Sequence, residues 1–310
     1  MKYYDIKGTD LNVSAIIMGC MRIDALSIKE IETLVNTALD NGVNFFDHAD
    51  VYAAGECEKL FSQVVTPSMR EKMIIQGKCG IKKCGGYLDG YYDFSKEYIL
   101  KCVDDILGRL KMDYLDTLLL HRPDSLMEPE VVADAFDTLQ QAGKVRYFGV
   151  SNCNSQQIAL LQSACKQRLA FNQVQFGIGH TPLVDAGMAS DTFLEQGHDR
   201  SGYLLEYSRL NDITLQCWSP FQHGTFAGVV IGDRENYAKL NEVLDNIAEK
   251  YNVTPTAIAT AWILRHPAHM QMIAGTTKPS RLIECCKGAD ITLQRDEWYE
   301  LYKAAGNPIP

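Results

Sequence analysis

Short apolar runs alternate with longer helical patterns along the whole chain, and this restricts the available folds more than any other feature. The strand-like runs are Ala15–Met18, Asn44–Asp47, Met73–Gly77, Tyr114–Leu120, Tyr147–Val150, Phe171–Val174, Thr214–Trp218 and Met272–Ala274. Most are continuous rather than alternating in polarity, as strands covered on both faces are. The helical patterns between them carry recognisable starts. Ser27 and Glu30 form a capping box ahead of Ile28, Ile31, Leu34, Val35, Ala38 and Leu39, which recur at helical spacing. Ser95 caps a helix carrying Ile99, Val103, Ile106, Leu107 and Leu110. Val131–Ala142 puts Val132, Ala135, Phe136 and Leu139 on one face before Gly143, and Thr254-Pro255 pairs an N-cap with a first-turn proline. Further helical patterns cover Ser155–Ala164, Leu204–Leu210, Tyr237–Tyr251 and Ser280–Gly288.

Eight strand–helix alternations predict an α/β protein whose parallel strands close into a (β/α)8 barrel of TIM type. A doubly wound dinucleotide-binding sheet would carry Gly-x-Gly-x-x-Gly after an early strand, and none is present. Before the first strand, Tyr3–Val13 contains Lys7-Gly8-Thr9-Asp10 between apolar residues and reads as an N-terminal β-hairpin capping the barrel bottom. With no linker or composition break, residues 1–310 read as a single barrel domain.

Charge narrows the partners. The chain has 39 acidic against 30 basic residues, a net charge of -9, which argues against nucleic acid or an anionic membrane surface. No run approaches the roughly 18 apolar residues of a membrane helix. The start, Met1-Lys2-Tyr3-Tyr4-Asp5, lacks an apolar signal segment. The 10 cysteines form no Cys-x-x-Cys pair, so a reduced, cytoplasmic protein with core thiols is expected, with no metal site.

Three connections, Cys79–Ser95, Gly177–Gly202 and Phe221–Asn236, are too long for simple turns. Each follows a strand and so belongs on the C-terminal face of a barrel, where barrel enzymes place their chemistry. Polar residues gather at the same strand ends: Asp47, Lys78, His121, Ser151, Asn152 and Gln173, with Tyr52 just beyond Asp47. Singly, each has an ordinary explanation as a solvated or ion-paired rim residue. Six at matching ends of successive strands do not.

In these residues the chain resembles the aldo-keto reductase family. The anchors are Phe46-Asp47-His48-Ala49-Asp50-Val51-Tyr52, Gln76-Gly77-Lys78, Leu118-Leu119-Leu120-His121-Arg122-Pro123-Asp124, Gly149-Val150-Ser151-Asn152, Asn172-Gln173-Val174, Trp218-Ser219-Pro220 and Gly275-Thr276-Thr277-Lys278-Pro279-Ser280-Arg281. The resemblance implies a catalytic tetrad of Asp47, Tyr52, Lys78 and His121 and an NADPH/NADP+ cofactor. It implies a small aldehyde or ketone as substrate. Reduction of a carbonyl needs a proton at oxygen, and a free tyrosine holds its proton until about pH 10. An ammonium at Lys78, held by Asp47, favours the tyrosinate and eases release from Tyr52. His121 can orient the carbonyl by a hydrogen bond.

The resemblance further assigns Ser151, Asn152 and Gln173 to the nicotinamide carboxamide, and Trp218, Ser219 and Pro220 to the nicotinamide side of the site. Thr276, Lys278 and Arg281 fall to the 2′-phosphate, at a helix start suited to anions. Met21 and Phe221 are assigned to the substrate pocket, and the loops add Tyr87, Tyr91, Tyr92, Phe94 and Phe226. Departures from the family pattern are His48 for a threonine, Gly275 for a phosphate-binding lysine, Cys285 for an asparagine near adenine, and Met21 for a tryptophan. Two other readings stay open: a nicotinamide-bound regulatory subunit on this fold, and an aldolase barrel with Lys78 as Schiff-base nucleophile. The second leaves Tyr52, Ser151-Asn152 and the anion site without a purpose.

Overall fold

The computed structural model describes residues 1–84, 90–223 and 228–310. Its strands in chain order are β1 (Tyr3–Asp5), β2 (Asn12–Ser14), β3 (Ile16–Gly19), β4 (Phe45–Asp47), β5 (Ile74–Cys79), β6 (Ile81–Lys83), β7 (Gly90–Tyr92), β8 (Leu115–Leu120), β9 (Val145–Ser151), β10 (Leu169–Gln175), β11 (Thr214–Trp218) and β12 (Gln271–Ala274). Eight of them close a barrel in the order β3-β4-β5-β8-β9-β10-β11-β12, and every neighbouring pair is parallel. These are the eight apolar runs of the sequence. β9 begins two residues before its apolar run because Val145 pairs with Leu115: the ladder, not apolarity, sets the strand end.

The caps behave as their chemistry dictates. Ser27 and Glu30 satisfy each other's backbone N–H groups ahead of the helix Ile28–Asp40. Ser95 caps Lys96–Leu110 and Thr254 caps Pro255–Leu264. The hairpin β1–β2 pairs antiparallel at the barrel bottom. Its Ile6, Leu11 and Val13 pack with inward residues Ile17, Phe45, Ile74, Leu119, Phe171 and Ile273. Each such buried side chain stabilises the fold by roughly 1.5–3 kcal/mol, so the plug is part of the core.

The long connections are less bare than the sequence reading held. Cys79–Ser95 contains the β6–β7 hairpin. Gly177–Gly202 contains the helix Pro182–Met188, which carries Pro in its first turn as the helix Pro255–Leu264 does but lacks a side-chain cap from Thr181. A C-terminal helix, Arg295–Ala304, was not read from the sequence at all. It has a Gln294/Glu297 capping box and buries Trp298, Leu301 and Tyr302. Trp298 stacks on Trp262 at 4.9 Å, and Tyr302 donates a hydrogen bond to Asp185 at 2.7 Å. The second connection is thereby tied to the barrel's outside and supplies no side chain to the cavity described next. No helix among the described residues is long and apolar enough to cross a membrane.

Candidate active site

At the C-terminal ends of the strands lies a cavity of about 690 Å³. Its polar floor comes from strand register. Asp47 ends β4 opposite Gln76 of β5, so Lys78, two residues further along β5, points inward over it. Lys78 Nζ meets Asp47 Oδ1 at 2.5 Å, with the side chains 0% and 3% exposed. Burial drives the ammonium pKa down, and the Asp47 carboxylate opposes that. Beyond β4 the chain turns through Tyr52 N–H to Ala49 C=O, 3.0 Å, and two left-handed alanines, Ala53 and Ala54. That turn carries the Tyr52 ring back to 5.0 Å from Lys78 Nζ. His121, just after β8, stands edge-on to Tyr52 with ring centroids 6.0 Å apart. All four tetrad residues are thus together, Asp47, Tyr52 and His121 on the cavity wall and Lys78 sealed behind it.

One expectation from sequence is reversed in this resting arrangement. Burial, with the Asp47 carboxylate next, holds the Tyr52 phenol well above its usual range rather than lowering it. Burial and the charges of Lys78 and Arg122 hold His121 well below its usual value, so its imidazole is neutral at neutral pH. His48 is also buried and neutral, pushed down to about 3, and packs edge-on against Phe61 at 4.5 Å. It acts as an aromatic filler behind the strand.

Ser151, Asn152, Gln173, Trp218, Ser219, Pro220, Thr276, Lys278 and Arg281 all line the cavity, as do Met21 and Phe221. The first three are already engaged with one another and with the barrel. Ser151 Oγ donates to the Gln173 carbonyl at 2.9 Å. Asn152 Nδ2 donates to Ser151 Oγ at 2.7 Å and to the His121 carbonyl at 3.3 Å, while its Oδ1 accepts from Trp218 Nε1 at 3.0 Å. Asn152 is therefore a strut joining three elements. Lys278 precedes Pro279 at the start of the helix Pro279–Gly288, and its N–H is held by Thr276 Oγ1 at 3.1 Å. Cys285 lines the same end.

Of the loop aromatics, Tyr91 and Tyr92 are exposed and away from the cavity, and Phe94 is buried in the core. Tyr87 and Phe226 lie outside the described residues. The sequence reading missed Arg22, Lys83 and Arg122, which also line the cavity. Arg22 Nη1 donates to the Gly275 carbonyl at 3.2 Å, and a Cβ added to Gly275 would lie 3.2 Å from the same nitrogen. The guanidinium thus fills the space above a residue without a side chain. Arg122 lies over the Trp218 ring, 5.6 Å from its centroid.

Behind the Tyr52 turn, Glu58 is ion-paired with Arg109, whose charge also acts on the buried Asp50. Arg109 Nε meets Glu58 Oε2 at 2.5 Å, and burial pushes Glu58 up to about 7 and Asp50 up to about 6. A carboxyl whose folded pKa is raised contributes most stability below its unfolded value and loses it as pH climbs through the folded one. For Glu58 the window runs from its ordinary 4.5 to about 7. Glu58→Gln should therefore gain stability relative to the parent across that window, by about 3 kcal/mol in total. Paired urea melts from pH 4 to pH 8 measure it, and a constant difference between the two proteins would refute the buried-acid assignment.

Comparison with known proteins matches the chain to one family. The Aldo/keto reductase family model matches residues 15–305. The oxidoreductase YcsN of Bacillus subtilis is 33% identical, with 97% of each chain covered. A 6-dehydroglucose reductase of Agrobacterium fabrum is 31% identical, with 95% of each covered. A probable voltage-gated potassium channel subunit beta of Arabidopsis thaliana is 28% identical over 94% of this chain and 92% of its own. Among solved structures, an aldo-keto reductase from Klebsiella pneumoniae in complex with NADPH superposes with a TM-score of 0.77 at 21% identity, covering 100% of this chain and 97% of that one. The chain belongs to the aldo/keto reductase family.

Proposed function

We propose that this protein is an NADPH-dependent reductase of small aldehydes or ketones in which Tyr52 gives the proton. The observation that carries the reading is the buried Lys78–Asp47 pair beneath Tyr52, with His121 facing the tyrosine across one cavity wall. The cavity also suits the cofactor. One end collects Arg22, Lys278 and Arg281, cations fit for phosphates in a protein of net charge -9, and the other offers Trp218, Ser151 and Gln173. When bound, the nicotinamide supplies hydride to the carbonyl carbon.

The chain's own residues then handle the oxygen. His121 lines the cavity, and its Nδ1 is enclosed with no hydrogen-bond partner among the described residues, so Nε2 is the nitrogen assigned to donate the hydrogen bond that orients the carbonyl. Tyr52 keeps its proton at rest because burial and Asp47 hold it there. As negative charge develops on the substrate oxygen, the proton moves to it and the tyrosinate left behind faces the Lys78 ammonium. Asp47 holds that ammonium in place. The names of the relatives point to sugar aldehydes as members of a test panel. Carbonyl-dependent oxidation of NADPH, screened over aldehydes, ketones and aldehydo-sugars, tests the reading. Tight NADPH binding without turnover of any carbonyl would instead favour a regulatory subunit, the reading the channel-subunit relative supports.

The cation end yields a paired prediction. Arg281→Ala should weaken NADPH about tenfold or more and leave NADH nearly unchanged, through loss of a charge-assisted hydrogen bond of roughly 1.5–3 kcal/mol to the 2′-phosphate. Arg22, bonded to the Gly275 carbonyl just after the end of β12, serves the phosphates common to both cofactors. Arg22→Ala should weaken NADPH and NADH alike by a similar factor. Fluorescence titration of both variants with both cofactors decides; identical selectivity in the two variants would sink the division of labour.

A further inference from the structure

Four glutamines stand inside the barrel. Gln271, Gln216 and Gln173 occupy paired positions on the neighbouring strands β12, β11 and β10, and Gln76 on β5 pairs with Asp47 on β4. All are buried. Their hydrogen bonds run outward from Gln76 and Gln173 to an accepting group at each end. Gln271 Nε2 donates to the Ser14 backbone carbonyl at 2.8 Å, and Gln216 Nε2 donates to Gln271 Oε1 at 3.1 Å. Gln76 Nε2 donates to Gln216 Oε1 at 2.8 Å and to Asp47 Oδ1 at 2.7 Å. Gln173 Nε2 donates to the same two oxygens at 3.2 Å and 3.0 Å.

This direction is dictated by the ends. An amide offers donors on one side and acceptors on the other, and its surroundings decide which way round it sits. At the barrel floor the Ser14 carbonyl can only accept. At the top Asp47, ion-paired with Lys78, can only accept. Reversing any one glutamine between them sets oxygen against oxygen or N–H against N–H among side chains that are all buried. The consequence reaches the cavity. Gln173 spends both N–H groups inside the barrel, so Oε1 is the end left for the cavity it lines.

We propose that this amide chain is a positioning device for the cofactor: it holds Gln173 with its oxygen toward the cavity and so selects a ligand group bearing N–H, the nicotinamide carboxamide, over a similar group without one. Gln76, Gln216 and Gln271 are positioning residues acting through Gln173, and the inference rests on the cofactor reading above.

A nucleotide pair separates this role from plain stability. The 3-acetylpyridine analogue of NADP+ keeps the carbonyl and lacks the amide N–H groups. Dissociation constants for NADP+, the analogue and NAD+ are measured by quenching of tryptophan fluorescence, alongside thermal melts. The parent should bind NADP+ about tenfold more tightly than the analogue, the upper range for one hydrogen bond. Gln216→Met should cut that preference to about threefold or less and leave the preference for NADP+ over NAD+ unchanged. Gln271→Met, one link further away, should act in the same direction more weakly. Gln216→Glu keeps an oxygen that accepts from Gln173 Nε2 in either protonation state and should restore the preference. Equal weakening of NADP+ and analogue in Gln216→Met, or no preference in the parent, overturns the proposal while the cofactor reading stands. A parent that binds no NADP+ overturns both.

Discussion

Tyr52→Phe should lower kcat by about 10²–10⁴-fold, the usual worth of general-acid catalysis. The substitution removes one oxygen and keeps the ring, so packing against His121 persists and the melting temperature should barely move. NADPH affinity should hold, since the groups assigned to the cofactor lie elsewhere on the wall, at Gln173, Trp218 and the Thr276–Arg281 segment. His121 is the rival donor. Its neutrality, imposed by burial and by Lys78 and Arg122, leaves it a far weaker acid than an imidazolium. Steady-state reduction of a reactive aldehyde beside NADPH titration separates the two. Near-normal kcat in the folded variant would transfer the proton to His121.

Lys78→Met should abolish measurable reduction, a loss of at least about 10²–10³-fold, because it removes the charge that receives the tyrosinate. It also has a structural effect. Asp47 is then buried without its cation, and breaking such a pair costs about 3–5 kcal/mol. Activity and stability must therefore be read apart. In the double variant Asp47→Asn/Lys78→Met no buried charge is left unpaired, and the melting temperature should recover while turnover does not. Recovery of both in the double variant would show that Lys78 matters only as a structural ion pair. Borohydride treatment in the presence of substrate provides a second check: a covalent adduct on Lys78 would revive the Schiff-base reading.

The tetrad was legible because barrel geometry converts a position in sequence into a place in space. Asp47, Lys78 and His121 close apolar strand runs, and parallel strands of one barrel end on one face. Tyr52 was legible only through its distance from Asp47 and the family pattern, since no propensity signals the left-handed turn at Ala53 and Ala54. The loops were harder. Tyr91 and Tyr92 look in sequence like pocket aromatics, yet they sit on an exposed hairpin, while Phe94 falls under Gly80 in the core. An aromatic side chain in a long connection carries no local mark of which way the connection folds.

The sequence by itself determined the barrel, the hairpin plug, most caps and the set of polar residues at the strand ends. Those depend on period, turn chemistry and strand ends, which neighbours in the chain decide. Only the tertiary structure decided the rest. It put Arg22, from the loop after β3, over Gly275 after β12, a contact spanning most of the chain. It closed the Gln271–Gln216–Gln76/Gln173–Asp47 chain of hydrogen bonds, which draws its members from five strands, β12, β11, β5, β10 and β4, and is complete only once all five are in the barrel. It also set the direction of the Tyr52 shift, because burial, with the Asp47 carboxylate next, holds the phenol up in the folded site. Desolvation belongs to the assembled cavity and to no residue in it, and for that reason no reading of single positions could have supplied its sign.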